Sequence, residues 1–330
     1  MNQQEPKTCY CIITKILTAL LKAMQENVGM SKCLVESWKL FVQAKLDYRC
    51  VYTKEDLEMF RTKIRALPEC IQVKMFTLKQ IVFNDNLLKI TPQRIITLCK
   101  IQNDNKMINA VAKLRNPRTF TYDEVISEIT ALCKLTHTNI LSIIGINLEH
   151  GVILTEHMEK GNLYFVCKVK QTTNQQFRYI FDVIKGLQYM HDQKFIHRDL
   201  ECLNVFVNAK GNCKIGDFEY AVYLGNSEEY VSRGERLEFA HCSFEVMMHR
   251  TFSYASDIFS LAYLISEVLL SPTIDVRCKP LNLISELKKI LNTESCPEIL
   301  FNVLSEAFLP IPKRRPPIKT FYNIFDSLLK

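Results

Sequence analysis

The segment His197–Asn204 reads HRDLECLN, and its acidic and amide side chains set the interpretation of the whole chain. Asp217 and Phe218 follow 18 residues after Asp199 (217 − 199), directly behind a short apolar run that is typical of a strand. A single loop aspartate is most simply explained as a buried structural carboxylate. Two acidic motifs in this order and at this spacing make that explanation weak, so a functional site around Asp199 is the better interpretation.

The two motifs together resemble the catalytic loop and the metal-binding motif of the protein kinase superfamily. The resemblance implies that Asp199 accepts the proton of a protein hydroxyl while that hydroxyl attacks the γ-phosphate of ATP. It also implies that Asn204 and Asp217 hold the Mg²⁺ ions that neutralise the phosphate oxygens. Such a site performs little covalent chemistry, so correctly placed charge supplies most of the catalysis.

An independent match lies nearer the N-terminus, where Ala110–Lys113 reads AVAK. This stretch resembles the kinase strand whose lysine contacts the α- and β-phosphates and is held by a glutamate from the following helix. Glu128 stands 15 residues beyond Lys113 (128 − 113), in a segment with the apolar spacing of a helix. A lone lysine in an apolar strand would usually reach out to solvent. The matching glutamate favours a catalytic pair of Lys113 and Glu128 instead.

The segment Thr155–Met158 reads TEHM and resembles the hinge that joins the two lobes of a kinase. The resemblance places Thr155 at the gatekeeper position. It also places the backbone of Glu156 and Met158 where kinases bind the adenine of ATP. These three residues are therefore expected to complete a nucleotide site with Lys113, Asn204 and Asp217.

Further residues fit structural positions of the family. Asp257, within the sequence SDIFS, stands where a kinase aspartate braces the catalytic loop, and Glu245 and Arg315 stand where the family has a buried ion pair. The four positions that stack between the lobes of active kinases are matched by Leu132, Ile143, His197 and Phe218. The resemblance covers about residues 82–330 and is closest to tyrosine kinases and tyrosine-kinase-like domains.

Three features depart from the family. The segment Lys89–Arg94 reads KITPQR, so the phosphate loop lacks the glycines that let backbone N–H groups approach phosphates closely. Glu219 replaces the glycine of the DFG motif and lies two residues from Asp217. Glu201 and Leu203 stand where kinases usually carry a lysine or an arginine that helps to neutralise the transferred phosphoryl group.

These matches and departures leave two functions open. The retained polar residues predict an active protein kinase, and tyrosine is the favoured acceptor because residue 201 is not lysine. The altered phosphate loop and Glu219 predict a pseudokinase, a nucleotide-binding or scaffolding module with weak or no transfer activity. Tyr230 lies 13 residues past Asp217 (230 − 217), about where tyrosine kinases are autophosphorylated, and an exposed loop tyrosine is the alternative.

The order of predicted strands and helices indicates an α+β fold. Strand-like runs lie at Leu87–Ile90, Arg94–Ile101, Met107–Leu114, around Leu141 and at Val152–Leu154, with one helix at Tyr122–Leu135. Helices dominate after Gly161. The kinase resemblance implies a two-lobed fold with an N-lobe at residues 81–158 and a C-lobe at residues 159–330. Residues 1–80 have the apolar spacing of helices and form a predicted N-terminal extension, either a brace or a module that binds a signalling partner.

Composition limits the remaining classes of function. Of the 330 residues 48% are hydrophobic, which suffices for a large core, and only 9 are glycine. The net charge of +7 is spread along the chain, so no nucleic-acid partner is predicted. The apolar stretch Cys9–Met24 contains two lysines and is too short for a transmembrane helix.

The 13 cysteines lack a zinc-binding spacing and are predicted to be reduced thiols of a cytoplasmic protein. The kinase resemblance adds ATP and Mg²⁺ as cofactors and a protein as substrate.

Overall fold

A computed structural model describes residues 73–90, 94–103, 106–115, 122–147, 151–233, 240–272 and 280–330, with Glu58 and Thr62 as single positions. The chain forms two compact units. The first contains the described residues up to Cys133 together with Ser142–His157, and the second contains Lys134–Leu141 and Met158–Lys330. Almost all of the predicted N-terminal helical extension lies outside the described residues.

The first unit is built on a five-stranded antiparallel sheet with the order β1-β2-β3-β5-β4. Its elements are β1 (Ile81–Ile90), β2 (Arg94–Asn103), β3 (Lys106–Arg115), helix α1 (Tyr122–Lys134), β4 (Ile143–Asn147) and β5 (Val152–Glu156). The alternating residues Thr97, Cys99 and Ile101 of β2 are buried, as expected for a strand with one face on a core. That core includes Ile81, Ala110, Ala112, Val152 and Leu154 from the neighbouring strands.

The predicted β2, β3, β5 and α1 are confirmed within a few residues, whereas β1 begins at Ile81, earlier than the predicted Leu87, and the position of β4 is corrected. The sequence suggested a strand around Leu141, whereas β4 begins at Ile143. The reason is that the N–H of Leu141 donates to the carbonyl of Ile215, at 2.8 Å, so this backbone pairs within the second unit. Strand β4 needs a glycine because a Cβ at Gly145 would lie 2.3 Å from the carbonyl oxygen of Lys74.

The second unit is mainly helical. Its helices are α2 (Leu163–Cys167), α3 (Thr173–Asp192), α4 (Phe244–His249), α5 (Tyr254–Leu270), α6 (Pro280–Lys289), α7 (Glu298–Ala307) and α8 (Ile318–Leu328). Helix α5 is the centre of the unit: 14 of its 17 residues are buried, and it packs against α3, α6 and α7. Its nearly continuous apolar sequence explains why it lies inside and not on the surface. In the described ranges, no helix is long and apolar enough to cross a membrane.

Among its described residues, the second unit also contains three two-stranded sheets. They pair β6 (Phe195–Ile196) with β9 (Val222–Tyr223), β7 (Val205–Val207) with β8 (Cys213–Ile215), and β10 (Glu229–Val231) with β11 (Thr251–Ser253). Together with the sheet of the first unit, this confirms the predicted α+β fold class.

In the described part of this glycine-poor chain, positive φ angles occur at residues other than glycine as well as at glycines. Among the described residues four glycines have positive φ, whereas five other residues do, namely Lys194, Arg198, Asp217, Arg250 and Asn292. Side chains with a Cβ adopt this left-handed region only at a cost of about 1–2 kcal/mol each. The surrounding structure must therefore hold these five turns in place.

A buried ion pair connects α4 with the segment before α8. Glu245 Oε1 and Oε2 accept hydrogen bonds from Arg315 Nη1 and Nη2 at 2.7 and 2.8 Å, which confirms the pairing predicted from the sequence. Arg315 also donates to the carbonyls of Ala255 and Leu309, each at 2.9 Å. The guanidinium group is fully buried, so these acceptors replace the hydrogen bonds that water would make to it.

Replacing Arg315 by alanine should lower the free energy of unfolding by about 3–5 kcal/mol, because the buried carboxylate of Glu245 loses its partner. Chemical denaturation measures the difference. Arg314→Ala is the matched control, since Arg314 is the exposed neighbour and its loss should cost less than about 0.5 kcal/mol. Equal costs for the two variants would contradict a stabilising role for the buried pair.

Candidate active site

In the first unit, Lys113 and Glu128 form the ion pair that the sequence predicted. Lys113 lies in β3, where it pairs with Ile96 of β2 and Ile153 of β5, and Glu128 lies in α1. The distance from Lys113 Nζ to Glu128 Oε1 is 2.7 Å, and both residues are buried. Lys113 is therefore not the solvent-reaching lysine of the alternative interpretation. A buried ammonium group is tolerated because the carboxylate compensates its charge.

In the second unit, the β7–β8 hairpin brings the two predicted metal ligands to one place. Val205 pairs with Ile215, so Asn204 and Asp217 both lie next to the same end of the hairpin. The N–H of Gly216 donates to the carbonyl of Asn204 at 2.8 Å, which keeps the two segments together. Asp217 itself has a left-handed backbone, with φ of 58°.

The proposed base, Asp199, is held at both carboxylate oxygens. Asn204 Nδ2 donates to Asp199 Oδ2 at 2.9 Å and to the Asp199 carbonyl at 2.8 Å. His241 Nε2 lies 3.1 Å from Asp199 Oδ1. The sequence predicted the neighbourhood of Asp199 and Asn204 but gave no sign of His241, which belongs to none of the motifs. Its position just before α4 becomes meaningful only in the fold.

The catalytic loop is fastened to helix α5 by Asp257, as predicted. Asp257 Oδ2 accepts the N–H of His197 at 2.8 Å, and Oδ1 accepts the N–H of Arg198 at 2.9 Å. His191 Nε2 lies 3.1 Å from Oδ2. The carboxylate is buried, and these neighbours supply the polar contacts that a buried charge requires.

His197 joins the catalytic loop to the Asp217 segment. The N–H of Asp199 donates to His197 Nδ1 at 3.3 Å, so Nδ1 acts as an acceptor and the ring proton lies on Nε2. Nε2 is 3.1 Å from the carbonyl oxygen of Gly216, to which it then donates. The His197 ring also packs on Phe218, with ring centroids 5.5 Å apart. Two of the four predicted stacking residues therefore touch, while Leu132 and Ile143 belong to the first unit.

Arg198 is covered by aromatic rings. Its guanidinium carbon lies 4.1 Å from the ring centre of Phe252 and 4.7 Å from that of Tyr230, and Nη1 donates to the Tyr220 carbonyl at 3.1 Å. Burial lowers the pKa of the guanidinium group. Tyr230 is thus half-buried in strand β10, so the alternative of an exposed loop tyrosine is wrong.

The predicted hinge residues are divided between the two units. Thr155 and Glu156 end β5, where Glu156 Oε1 accepts the N–H of Ser142 at 2.7 Å and the Glu156 N–H donates to the Ser142 carbonyl at 3.1 Å. Met158 belongs to the second unit and is buried, and its carbonyl accepts the N–H of Gly161 at 3.0 Å. Their role in binding adenine stays a prediction.

Of the three departures from the family, the structure describes two. Glu219 is half-buried in a short 3₁₀ turn, Phe218–Tyr220, and is not among the residues with positive φ. The backbone at this position therefore does not require the glycine of the family motif. Glu201 lies beside His241, with Oε2 3.9 Å from Nδ1. The centre of the glycine-free loop, residues 91–93, lies outside the described residues.

The residues around Asp199 have the right chemistry for magnesium. Asn204 uses its amide nitrogen for both bonds to Asp199, so its amide oxygen is the atom left to act as a ligand. Asp217 adds a carboxylate. Mg²⁺ prefers oxygen ligands and usually takes only one or two carboxylates from the protein, so this donor set fits the ion.

Replacing Asp257 by alanine should destabilise the second unit by about 2–5 kcal/mol, because the N–H groups of His197 and Arg198 lose their acceptor. Chemical denaturation followed by circular dichroism measures the change. Asp326→Ala is the matched control: Asp326 forms an exposed ion pair with Lys330, worth less than about 1 kcal/mol. A cost for Asp257→Ala no greater than the control's would contradict the bracing role.

Comparison with known proteins agrees with this geometry. Residues 95–325 match the family described as protein tyrosine and serine/threonine kinase. Over 223 residues the chain is 29% identical to the tyrosine-protein kinase receptor svh-2 of Caenorhabditis elegans, a match covering 63% of this chain and 20% of that protein. Over 208 residues it is 26% identical to the megakaryocyte-associated tyrosine-protein kinase of Mus musculus, a match covering 60% of this chain and 40% of that protein. The chain thus spans less than half the length of both relatives.

The family match covers well over half of the chain and contains Lys113, Glu128, Asp199, Asn204 and Asp217. The chain therefore belongs to the protein tyrosine and serine/threonine kinase family.

Proposed function

We propose that this protein is an active kinase that transfers the γ-phosphoryl group of Mg-ATP to a protein hydroxyl, with tyrosine as the favoured acceptor. The observation that carries the proposal is the fixed orientation of the Asp199 carboxylate. Its two carboxylate oxygens face hydrogen-bonding side chains, on a loop that Asp257 holds to a buried helix. A base that is oriented before the substrate arrives is what proton abstraction from a hydroxyl requires.

Each polar residue of the site has one part in this reaction. Asp199 takes the proton of the acceptor hydroxyl while the hydroxyl oxygen forms a bond to the γ-phosphorus. The bond from that phosphorus to the β–γ bridging oxygen breaks, and its electron pair leaves with ADP. Lys113, kept in place by Glu128, contacts the α- and β-phosphates.

The remaining residues hold the nucleotide and its metal. Asn204 and Asp217 would bind Mg²⁺, which neutralises charge on the phosphate oxygens when it is present. Thr155, Glu156 and Met158 would line the adenine position. The catalytic, metal-binding and adenine-binding roles are part of the proposal, and so are the domain limits of 1–80 for the extension and 81–330 for the kinase domain.

The preference for tyrosine has two supports. Both relatives described above are named as tyrosine kinases. In addition, Glu201 stands where serine/threonine kinases usually have lysine. The proposed substrate is a protein, and the proposed location is the cytoplasm, where the scattered cysteines would stay reduced. A signalling partner for residues 1–80 is likewise proposed.

The second candidate function is a pseudokinase that binds nucleotide or partners without efficient transfer. Glu219 supports it, because a half-buried carboxylate two residues from Asp217 adds negative charge near the proposed metal site. The glycine-free loop and the lack of a basic residue at positions 201 and 203 point the same way. Binding of Mg-ATP without measurable transfer would identify this function.

Replacing Asp199 by asparagine should reduce phosphoryl transfer by about 100-fold or more, the usual contribution of a general base. Nucleotide affinity should stay nearly unchanged, because Asp199 is proposed to contact the hydroxyl and not ATP. Transfer from labelled Mg-ATP to tyrosine and serine peptides measures the rate, and thermal shift against nucleotide concentration measures the affinity.

Two comparison variants sharpen this test. Asp192→Asn makes the same change at an exposed position and should behave as wild type. Lys113→Met should weaken productive use of ATP while the protein stays folded, because lysine supplies charge to the phosphates. Wild-type transfer by Asp199→Asn would show that Asp199 is not the base.

Replacing Glu219 by glycine should tighten Mg-ATP binding by about tenfold, equivalent to about 1.4 kcal/mol of relieved charge repulsion. Titration at low and at high salt measures the change, which should shrink as salt screens the charge. Glu219→Gln is the matched control: it removes the charge but keeps the size, so it should reproduce most of the gain. An unchanged or weaker affinity in both variants would show that Glu219 does not repel the nucleotide.

A further inference from the structure

His241 is buried beside the proposed base, and its position is fixed from two sides. Ser260 of helix α5 donates its hydroxyl to the His241 carbonyl at 2.9 Å, which holds the backbone. The ring then reaches Asp199, with Nε2 3.1 Å from Oδ1, and Glu201, with Nδ1 3.9 Å from Oε2. Both ring nitrogens therefore face a carboxylate.

The contact with His241 completes the fixation of Asp199. Asn204 donates to Oδ2 at 2.9 Å, and His241 occupies the other oxygen. A carboxylate held by a single hydrogen-bond donor can still rotate about that hydrogen bond. A carboxylate with a donor on each oxygen has one preferred orientation, and hydrogen bonds to a charged group are roughly twice as strong as neutral ones.

The surroundings of His241 are acidic. Asp199 and Glu201 face it from the catalytic loop, Glu267 faces it from helix α5, and Tyr263 of the same helix packs at its edge. Burial raises the pKa of Glu267 to about 7. The catalytic loop itself contributes no cation at positions 201 and 203.

We propose that His241 is a positioning residue for Asp199, which it orients through Nε2–H, and that its ring, lying between the carboxylates of Asp199 and Glu201, takes the place of the basic side chain missing from positions 201 and 203. This inference rests on the proposed function, since the orientation matters for catalysis only if Asp199 is the base. The pairing of His241 with Asp199 can be tested whether or not the protein transfers phosphate.

The charge on the His241 ring depends on pH. Burial by itself lowers the pKa of the ring, but the hydrogen bond to Asp199 and the charges of Asp199, Glu201 and Glu267 outweigh it, so the pKa is raised above 6.5. The charge is therefore fully present below the unfolded value of 6.5. It is lost as the pH rises through the higher pKa of the folded protein.

The pairing is tested by nuclear magnetic resonance on protein with labelled histidine. His241 is assigned by the signal that disappears in His241→Gln, and its titration is followed in wild type and in Asp199→Asn. Removing the Asp199 charge should lower the pKa of His241 by about one unit. The exposed His249, on helix α4, is the internal reference. An identical His241 titration in both proteins would overturn the proposal.

The effect of His241 on catalysis is tested by replacing it with glutamine and with asparagine. Their side-chain amides place a neutral hydrogen-bond donor at different positions of the former ring. Glutamine at 241 puts its nitrogen near the place of Nε2, so it keeps the donor to Asp199 and loses the charge. Asparagine puts its nitrogen near the place of Nδ1, so it loses both the donor to Asp199 and the charge. His241→Asn should therefore lower kcat by about tenfold or more with KM for ATP unchanged, and His241→Gln should lose less.

The pH profile separates the charge from the hydrogen bond. The ratio of kcat for wild type to kcat for His241→Gln should exceed one at low pH and fall toward one as His241 deprotonates. A ratio that does not depend on pH, with equal losses in both variants and unchanged melting temperatures, would overturn the proposal. If the His241 titration responds to Asp199→Asn while wild type transfers no phosphate, the pairing stands and the proposed function fails.

Discussion

The buried carboxylate of Asp257 is the interaction on which the proposed site depends. It accepts the N–H groups of His197 and Arg198 and faces His191, and so it fixes the start of the catalytic loop to helix α5. Arg198 has a φ of 71°, a conformation that an arginine adopts only when neighbouring bonds enforce it. The orientation of Asp199, the next residue, follows from that enforced turn.

Helix α5 therefore has a double task. Its apolar residues fill the centre of the second unit, and its few polar residues hold the site: Asp257 bonds to the catalytic loop and Ser260 bonds to the backbone of His241. Two segments far apart in sequence, one on each side of Asp199, are thus set by one rigid element. A shift of this helix would therefore move both the start of the catalytic loop and the backbone of His241.

The sequence predicted the parts of the molecule that depend on residue type at fixed spacing. The pairs Lys113–Glu128 and Glu245–Arg315 and the bracing by Asp257 were predicted from the resemblance to the kinase family, and the structure contains all three contacts. Strand β4 was predicted around Leu141 but begins at Ile143, because apolar residues stand on both sides of Ser142 and only hydrogen bonding decides where the pairing changes. His241 was missed for a different reason: a single histidine outside a motif carries no pattern, and its partner Asp199 is 42 residues away.

The scarcity of glycine also affects the unfolded chain. Each glycine gives an unfolded chain more conformations to lose on folding, so a sequence with 9 glycines in 330 residues begins with less entropy to give up. In the part of the chain that the structure describes, five residues other than glycine have left-handed backbone conformations. A glycine at Lys194 would relieve strain of about 1–2 kcal/mol but would return up to about 1 kcal/mol of unfolded-state entropy. The low conformational entropy of the unfolded chain therefore contributes to the stability of these turns. This contribution cannot be seen in the contacts of the folded structure.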